Sequence, residues 1–303
     1  MTAAAAGPAL AAPLADEPDD EPARARHWYT PYLLLLPGLG WLAFFFVVPM
    51  VALASMSLQT GSLGEGYQLT WNWATYSDSL STYASQFIRS FLYAGTATLL
   101  TLAIGYPLAY TIAFKAGRWR NLMLILVVAP FFTSFLIRTL AWKIILSDGG
   151  WLVETLKTLH LLGENGRLLA TPAAVIMGLT YNFLPFMVLP LYASLEKINP
   201  ALLEAAADLY ANAWTAFRKI TWRLSLPGVV AGTLLTFIPA AGDYVNVQFL
   251  GTPNSAMIGT VIQSRFLTVL DYPTAAALSF CLMVSVLVIV VVYVRRVGAK
   301  ELL

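Results

Sequence analysis

The sequence has little of the chemistry that soluble enzymes use: one cysteine, two histidines and 11% charged residues in 303 positions. The lone Cys281 excludes an internal disulfide and a cysteine-based metal cluster. His27 and His160 are too few for a histidine-based metal site, so we predict no metal site. Paired carboxylates and nucleophile–histidine arrangements are also missing, so we predict no catalytic residue. Without such a constellation, the sequence does not fit a membrane-embedded enzyme.

The sequence also lacks a motif for the binding of ATP. The sequence contains no G-x-x-x-x-G-K-[ST] phosphate loop, the device that cradles the phosphates of ATP. Any transport by this chain must therefore draw energy from a partner or from a gradient.

What the chain has in abundance is apolar sequence. It is 58% hydrophobic with a mean hydropathy of +0.70, which indicates an integral membrane protein. The net charge of +2 is too small to suggest a nucleic-acid partner, and membrane lipid is the expected environment.

Six stretches are long enough to cross a bilayer, which needs about 20 apolar residues per helix. The predicted fold is therefore an all-α membrane domain over 29–303. Residues 1–28, rich in Ala, Pro, Asp and Glu, predict a disordered cytoplasmic tail, not a signal peptide. The predicted spans are about 31–58, 87–114, 121–146, 170–193, 227–249 and 273–294, with a loop at 194–226 between the fourth and fifth.

Basic residues set the expected orientation, because cytoplasmic flanks carry an excess of Lys and Arg. Twelve of the 18 Lys and Arg fall on the flanks that include both termini and the 194–226 loop. The alternate loops hold only Lys157, Arg167 and Arg265. Both termini and the 194–226 loop are therefore predicted to be cytoplasmic.

Charged residues inside spans mark either a transport pathway or a buried pair. Arg138 and Asp243 both fall in the predicted outer half of their helices. They could pair with each other, or Asp243 could face a cavity and attract a cationic cargo. Pro239 and Gly242 could interrupt the fifth span beside such a cavity, or only kink the helix.

Aromatic and amide side chains near these charges have two interpretations. Trp142, Tyr181 and Tyr244 could offer ring faces to a cation, or could simply pack. Asn182 and Asn246 could line the same cavity, or could hydrogen-bond across helices. We assign Trp142, Tyr181, Tyr244 and Asn246, with Arg138 and Asp243, to a candidate translocation pathway.

The loop at 194–226 and the start of the next span hold the longest amphipathic segment. Asn199 followed by Pro200 predicts a helix start, since the Asn side chain caps a backbone N–H and Pro at the first position loses no needed donor. Apolar residues then recur at helical spacing, opposite a polar face. Such a segment could lie on the membrane surface. The apolar positions are Leu202, Ala206, Leu209, Ala213, Phe217, Ile220 and Leu224, and the polar ones Glu204, Asp208, Asn212 and Lys219.

The identities of these residues are more specific. The segment resembles the EAA loop of permeases from binding-protein-dependent ABC importers, and it departs from the family pattern at Tyr210, where glycine is usual, and at Arg223, where proline is frequent. In that family the loop is a cytoplasmic coupling helix that docks on the ATPase. The resemblance rests on Glu204, Ala205, Ala206, Asp208, Leu209, Ala211, Phe217, Ile220, Leu224, Pro227 and Gly228. Among these residues, the resemblance implies a role in ATPase coupling for Glu204, Ala205, Ala206, Asp208, Leu209 and Phe217.

Other stretches from about Arg89 to the sixth span, among them IRTLAWKIIL and FIPAAGDYV, resemble permeases of the spermidine/putrescine class. The resemblance implies a type I importer in a prokaryotic inner membrane. Its partners would be a second permease, a dimer of ABC ATPases that carries ATP and Mg, and an extracytoplasmic substrate-binding protein. It implies no cofactor in this chain.

Polyamines are the expected cargo, and related permeases serve ferric iron, phosphonates or opines. A gradient-driven secondary carrier is the rival interpretation. It leaves the EAA-like loop unexplained and predicts repeat halves that are not visible in the sequence.

Overall fold

The computed structural model describes residues 30–62, 64–163 and 165–298, so the predicted tail at 1–28 lies outside the described residues. The chain forms two units, up to Met50 and from Val51 onward. The helices are α1 Thr30–Ser57, α2 Ala74–Phe114, α3 Arg120–Val128, α4 Phe135–Ile145, α5 Trp151–Thr158, α6 Pro172–Leu195, α7 Pro200–Asp208, α8 Ala213–Ala216, α9 Trp222–Ala241, α10 Val245–Leu250, α11 Ile258–Ser264 and α12 Tyr272–Tyr293.

The first unit contains most of α1. Every side chain from Leu34 to Pro49 in this helix is exposed. The helix is apolar all round and contains Pro37 and Pro49. Exposed apolar surface on all sides is typical of a helix that a membrane or another membrane protein surrounds.

In the second unit, α6 packs against both α2 and α9. This helix is apolar on nearly every face, and Met187, Val188 and Leu191 are completely buried. Its start is well specified: the Thr171 side chain accepts a hydrogen bond from the Ala174 N–H at 3.2 Å, and Pro172 occupies the first position.

Small residues allow the helices around α6 to approach closely. A Cβ added at Gly228 of α9 would lie 2.7 Å from the Pro190 carbonyl oxygen, and one at Gly232 would lie 2.8 Å from the Met187 sulfur. On the other side, a Cβ at Gly105 of α2 would lie 3.2 Å from the Met187 Cγ. Close helix approach at small residues is a common packing mode in membranes.

The predicted span at 121–146 is not one straight helix. It consists of α3 with a 3₁₀ turn, followed by α4 at an angle of 95°. Thr133 and Ser134 between them have extended backbone, with ψ of 141° and 137°. Pro130 starts this interruption because it has no N–H to continue the helical ladder.

The predicted span at 227–249 is also divided. Helix α9 starts at Trp222, continues through Pro239 and ends at Ala241. Gly242 caps its end, and α10 starts at Val245. The interruption that Pro239 and Gly242 predict is therefore located at Gly242.

A short antiparallel hairpin, Gln59–Ser62 (β1) with Gly66–Leu69 (β2), departs from the otherwise helical secondary structure. The Tyr67 hydroxyl donates a hydrogen bond to the Leu270 carbonyl just before α12. This contact attaches the hairpin to the start of the last helix.

Among the described residues, five helices are long and apolar enough to cross a membrane, and the bent α3–α4 pair raises the number to six if it counts as one span. The architecture is the helical membrane fold that the hydropathy predicts.

Candidate functional site

Three amide and hydroxyl side chains meet where α4, α6 and α10 contact one another. Asn182 donates from Nδ2 to the Asn246 Oδ1 at 3.0 Å and to the Thr139 hydroxyl at 3.3 Å. All three side chains are almost completely buried. We call Thr139, Asn182 and Asn246, together with the neighbouring Arg138 and Asp243, the polar cluster.

Asp243 has a structural task in this cluster. Its Oδ1 accepts a hydrogen bond from the Asn246 N–H at 2.8 Å, which caps the start of α10. Only 8% of the residue is exposed. A Cβ at Gly259 would lie 2.3 Å from the Gly242 oxygen and 3.0 Å from that of Asp243, so α11 packs tightly against this turn. Asp243 is thus fixed between α9, α10 and α11.

Arg138 is buried without a carboxylate partner. It is 9% exposed, and the ion pairs among the described residues do not include it. Its Nε and Nη1 have no hydrogen-bond partner in the described part of the chain, while its guanidinium lies 5.6 Å from the Phe135 ring centre and 5.9 Å from that of Phe131. The Arg138–Asp243 ion pair that the sequence allowed does not form in this conformation.

The aromatic candidates divide into two groups. Trp142 and Tyr181 form an edge-to-face pair with ring centres 5.4 Å apart, on α4 and α6. Tyr244, 43% exposed, instead lines a groove of about 750 Å³ formed mainly by apolar residues of α9, α11 and α12. Neither Trp142 nor Tyr181 lines this groove. The structure therefore brings Asp243 and Asn246 together and pairs Trp142 with Tyr181. Arg138 lies against phenylalanine rings, and Tyr244 lines the groove.

Thr139 is the member of the cluster that sequence reasoning missed. It bonds the Phe135 carbonyl at 3.1 Å and lies 3.5 Å from the Asn246 Oδ1. Its position next to Arg138 in a candidate span was the available signal. A lone threonine in an apolar helix is too common to stand out.

The second candidate site is residues 194–226, which we call the coupling segment. The Asn199 Oδ1 accepts a hydrogen bond from the Ala201 N–H at 3.0 Å, and Pro200 is the first residue of α7. Asn212 caps α8 in the same way: its Oδ1 accepts a hydrogen bond from the Thr215 N–H at 2.8 Å. The segment is a short helix, a turn and a second helix that continues through a π-helical turn into α9.

The turn after α7 has the hydrogen bonds of a Schellman motif. The Ala211 N–H donates to the Ala206 carbonyl at 3.0 Å, and the Tyr210 N–H donates to that of Ala207 at 2.9 Å. This pattern places Tyr210 in the left-handed region, with φ of 57°. Glycine adopts that conformation freely, whereas a residue with a Cβ loses roughly 1–2 kcal/mol. The departure from the family pattern at Tyr210 therefore leaves the turn intact and strains it.

The six residues assigned to coupling do not share one face. Glu204, Ala205, Asp208 and Leu209 are exposed. Ala206 is only 8% exposed, on the inner side of α7.

Phe217 also faces inward: its ring centre lies 5.7 Å from that of Tyr106 and 6.4 Å from that of Tyr110, both on α2. The Tyr106 hydroxyl lies 2.8 Å from the Ser225 hydroxyl of α9. Phe217 attaches the coupling segment to α2, and the exposed residues of the segment are available to a partner.

A charged contact lies at the base of this segment. Arg120, at the start of α3, contacts the Glu196 carboxylate and the Tyr192 hydroxyl at the end of α6. Since α7 begins four residues after Glu196, this contact fixes the helix that leads into the coupling segment.

The described chain matches a model of one protein family, and curated transport permeases are similar to it in sequence. Residues 28–298 match the binding-protein-dependent transport system inner membrane component. The spermidine/putrescine transport system permease protein PotB of Escherichia coli strain K12 is 37% identical over 263 residues, which cover 86% of this chain and 96% of the relative. PotB of Haemophilus influenzae is 36% identical over 257 residues, 84% of this chain and 90% of the relative.

A solved structure shows the same fold. The bacterial alginate ABC transporter in complex with alginate pentasaccharide-bound periplasmic protein contains a chain with a TM-score of 0.64 and 22% identity, covering 89% of this chain and 96% of that one. The helical architecture, the capped coupling segment and these matches agree: the chain belongs to the family of inner-membrane permease components of binding-protein-dependent ABC importers.

Proposed function

We propose that this permease carries polyamines such as spermidine and putrescine, together with a second permease, a pair of ABC ATPase subunits and an extracytoplasmic binding protein. The observation that carries the proposal is the 37% identity with the spermidine/putrescine permease PotB over 86% of this chain. A match that extends over nearly all spans includes both the segments that contact cargo and those that contact partners.

The polar cluster supports a cationic cargo through Asp243. Its carboxylate is almost buried, so bulk salt screens its charge weakly and an amine nearby gains a strong attraction. The edge-to-face pair of Trp142 and Tyr181 lies on the neighbouring helices, and Tyr181 is 36% exposed. Aromatic faces attract alkylammonium groups.

The coupling segment supports an ATPase partner. Glu204, Ala205, Asp208 and Leu209 are exposed, while Phe217 holds the segment to the helical body. A displacement of the coupling segment would therefore move α2 through the Phe217 ring, and α6 through the chain that connects α6 to α7. In this proposal the segment and both termini lie on the cytoplasmic side, in agreement with the bias of Lys and Arg.

The test is transport by the reconstituted complex. The chain, its copurifying permease and ATPase, and the binding protein are placed in proteoliposomes, and uptake of radiolabelled spermidine is measured with and without ATP. We expect uptake that requires ATP and the binding protein and persists when ionophores collapse ion gradients.

Two other results would revise the proposal in different ways. ATP-dependent uptake of ferric iron or a phosphonate without spermidine uptake would leave an importer with another cargo. Uptake that follows an ion gradient and ignores ATP would support the secondary carrier.

A further inference from the structure

The turn between α7 and α8 presents three large apolar side chains to the exterior. Leu209 is 81% exposed, Tyr210 98% and Trp214 66%. We call these three residues the aromatic tip. Trp214 is partly supported, since its ring stacks on Phe217 with centres 5.6 Å apart. Tyr210, at 98% exposure, has almost no support from the described residues.

Tyr210 combines this exposure with an unfavourable backbone. The Schellman hydrogen bonds from Tyr210 and Ala211 require a left-handed residue at this position, where glycine fits best. The Cβ of tyrosine makes this conformation unfavourable, and the 98% exposure shows that contacts with the described residues do not compensate for the strain. At Tyr210 the strain coincides with almost complete exposure of a large aromatic side chain, and a contact outside the chain explains this combination.

We infer that Tyr210 is an anchor residue that inserts into an apolar pocket of the ATPase subunit; this inference rests on the proposed function of the coupling segment. The Schellman turn fixes the direction of the Cα–Cβ bond, so little conformational freedom is lost on docking. Tyrosine and tryptophan are enriched among the few residues that dominate the energy of protein interfaces.

The charges beside the aromatic tip favour a protein over a lipid surface. Glu204 and Asp208 are exposed, and their spacing of four residues puts both on one face of α7. Asp208 directly precedes Leu209. Anionic lipid headgroups would repel these carboxylates. The exposed cations Arg218 and Lys219 follow Phe217, which packs against α2, and so lie next to the helical body.

The experiment compares three substitutions in the intact complex. Tyr210→Gly removes both the ring and the strain, Tyr210→Asn removes the ring and tolerates the left-handed backbone, and Tyr210→Phe keeps the ring. The affinity of the purified ATPase subunit for nanodiscs that contain the permease pair is measured with the apparent melting temperature of the permease. We expect Tyr210→Gly and Tyr210→Asn to weaken ATPase binding about tenfold or more, and Tyr210→Phe to bind within about twofold of wild type.

His160 provides a matched control. It occupies the same position in a second Schellman turn after α5, with φ of 55° and a hydrogen bond from the Leu161 N–H to the Leu156 carbonyl at 3.0 Å. His160→Gly and Tyr210→Gly should each raise the apparent melting temperature of the permease by about 2–4 °C, and only Tyr210→Gly should weaken ATPase binding.

The outcomes separate this inference from the proposed function. Unchanged ATPase binding by Tyr210→Gly, with a cysteine at position 207 still cross-linking to the ATPase, would overturn the anchor and leave the coupling role intact. Without that cross-link the proposed coupling itself fails. Loss of binding to anionic vesicles by Tyr210→Gly, with unchanged ATPase binding, would overturn the anchor in favour of a lipid contact.

Discussion

Asn182 of α6 donates a hydrogen bond from Nδ2 to the Oδ1 of Asn246 on α10 at 3.0 Å, inside a region where both residues are almost fully buried. The bond holds the short helix after the Gly242 break against α6, the most buried of the long apolar helices that the structure describes. Gly178, one turn earlier on α6, makes room for it, since a Cβ there would lie 2.7 Å from the Asn246 Oδ1.

The Asn182–Asn246 bond predicts a coupled effect on stability. Asn182→Leu or Asn246→Leu alone should lower the free energy of unfolding by about 1 kcal/mol, because each leaves a buried amide without its partner. The double variant should recover part of the loss, because both polar groups are then gone. Apparent melting temperatures in detergent measure this. Strictly additive losses would show that the two amides are not coupled.

Hydropathy predicted the helical membrane architecture because spans depend on summed apolarity, whereas the orientation that the basic flanks predict stays a prediction. The 95° bend at Thr133–Ser134 was not predicted, since these residues look like ordinary members of an apolar stretch and Pro130 before them does not by itself specify the angle of a bend. The start of α7 at Pro200 was predictable because Asn199 caps it locally. The polar cluster was only partly predictable, because the partner of a buried amide depends on which helices meet.

Close packing between α6 and α9 gives a second prediction. Gly228→Ala should destabilise the permease by about 1–3 kcal/mol, because the new Cβ would lie 2.5 Å from the Ser194 Cβ and 2.7 Å from the Pro190 oxygen. Gly95→Ala in α2 is the matched control, since its Cβ would meet nothing within 4 Å. It should leave stability unchanged or raise it by up to about 1 kcal/mol. Thermal unfolding of both variants in one detergent tests the pair, and equal stability would mean that α6 and α9 are not in close contact there.

Asp243 allows charge and capping to be tested separately. Asp243→Asn keeps an oxygen that can accept from the Asn246 N–H, so complex yield should stay near wild type while spermidine uptake falls about tenfold or more. Asp243→Ala loses the cap as well and should lower stability by about 1 kcal/mol. Wild-type uptake by Asp243→Asn would mean that the carboxylate charge has no part in transport.

Substitution of Arg138 tests whether this residue forms an ion pair with Asp243. Because no carboxylate lies within ion-pair distance of its guanidinium among the described residues, Arg138→Gln should not reduce complex yield and should not rescue Asp243→Asn. If the double variant instead restores both yield and uptake, Arg138 and Asp243 pair in another conformation of the transport cycle, and the cavity role of Asp243 is wrong.

The predicted orientation can be tested with single cysteines in a Cys281→Ser background. Ala207→Cys in α7 and Thr158→Cys at the end of α5 are both at exposed positions. A membrane-impermeant maleimide should label position 158 in intact cells and position 207 only after the membrane is opened. Labelling of position 207 from outside would place the coupling segment on the wrong side for any contact with an ATPase.

Reversal of one charge on the coupling segment tests whether α7 contacts the ATPase. Glu204 is exposed on the outer side of this helix. In Glu204→Lys, an ammonium group replaces the carboxylate, so a cationic group of the ATPase that faces Glu204 meets a like charge and a neutral donor there loses its acceptor. We expect ATP-dependent spermidine uptake to fall about tenfold while the permease assembles and melts as the wild type does. Glu154→Lys is the matched control, because Glu154 is an exposed carboxylate on the short helix α5. If Glu204→Lys transports as well as Glu154→Lys in complexes of equal yield, Glu204 does not contribute to coupling.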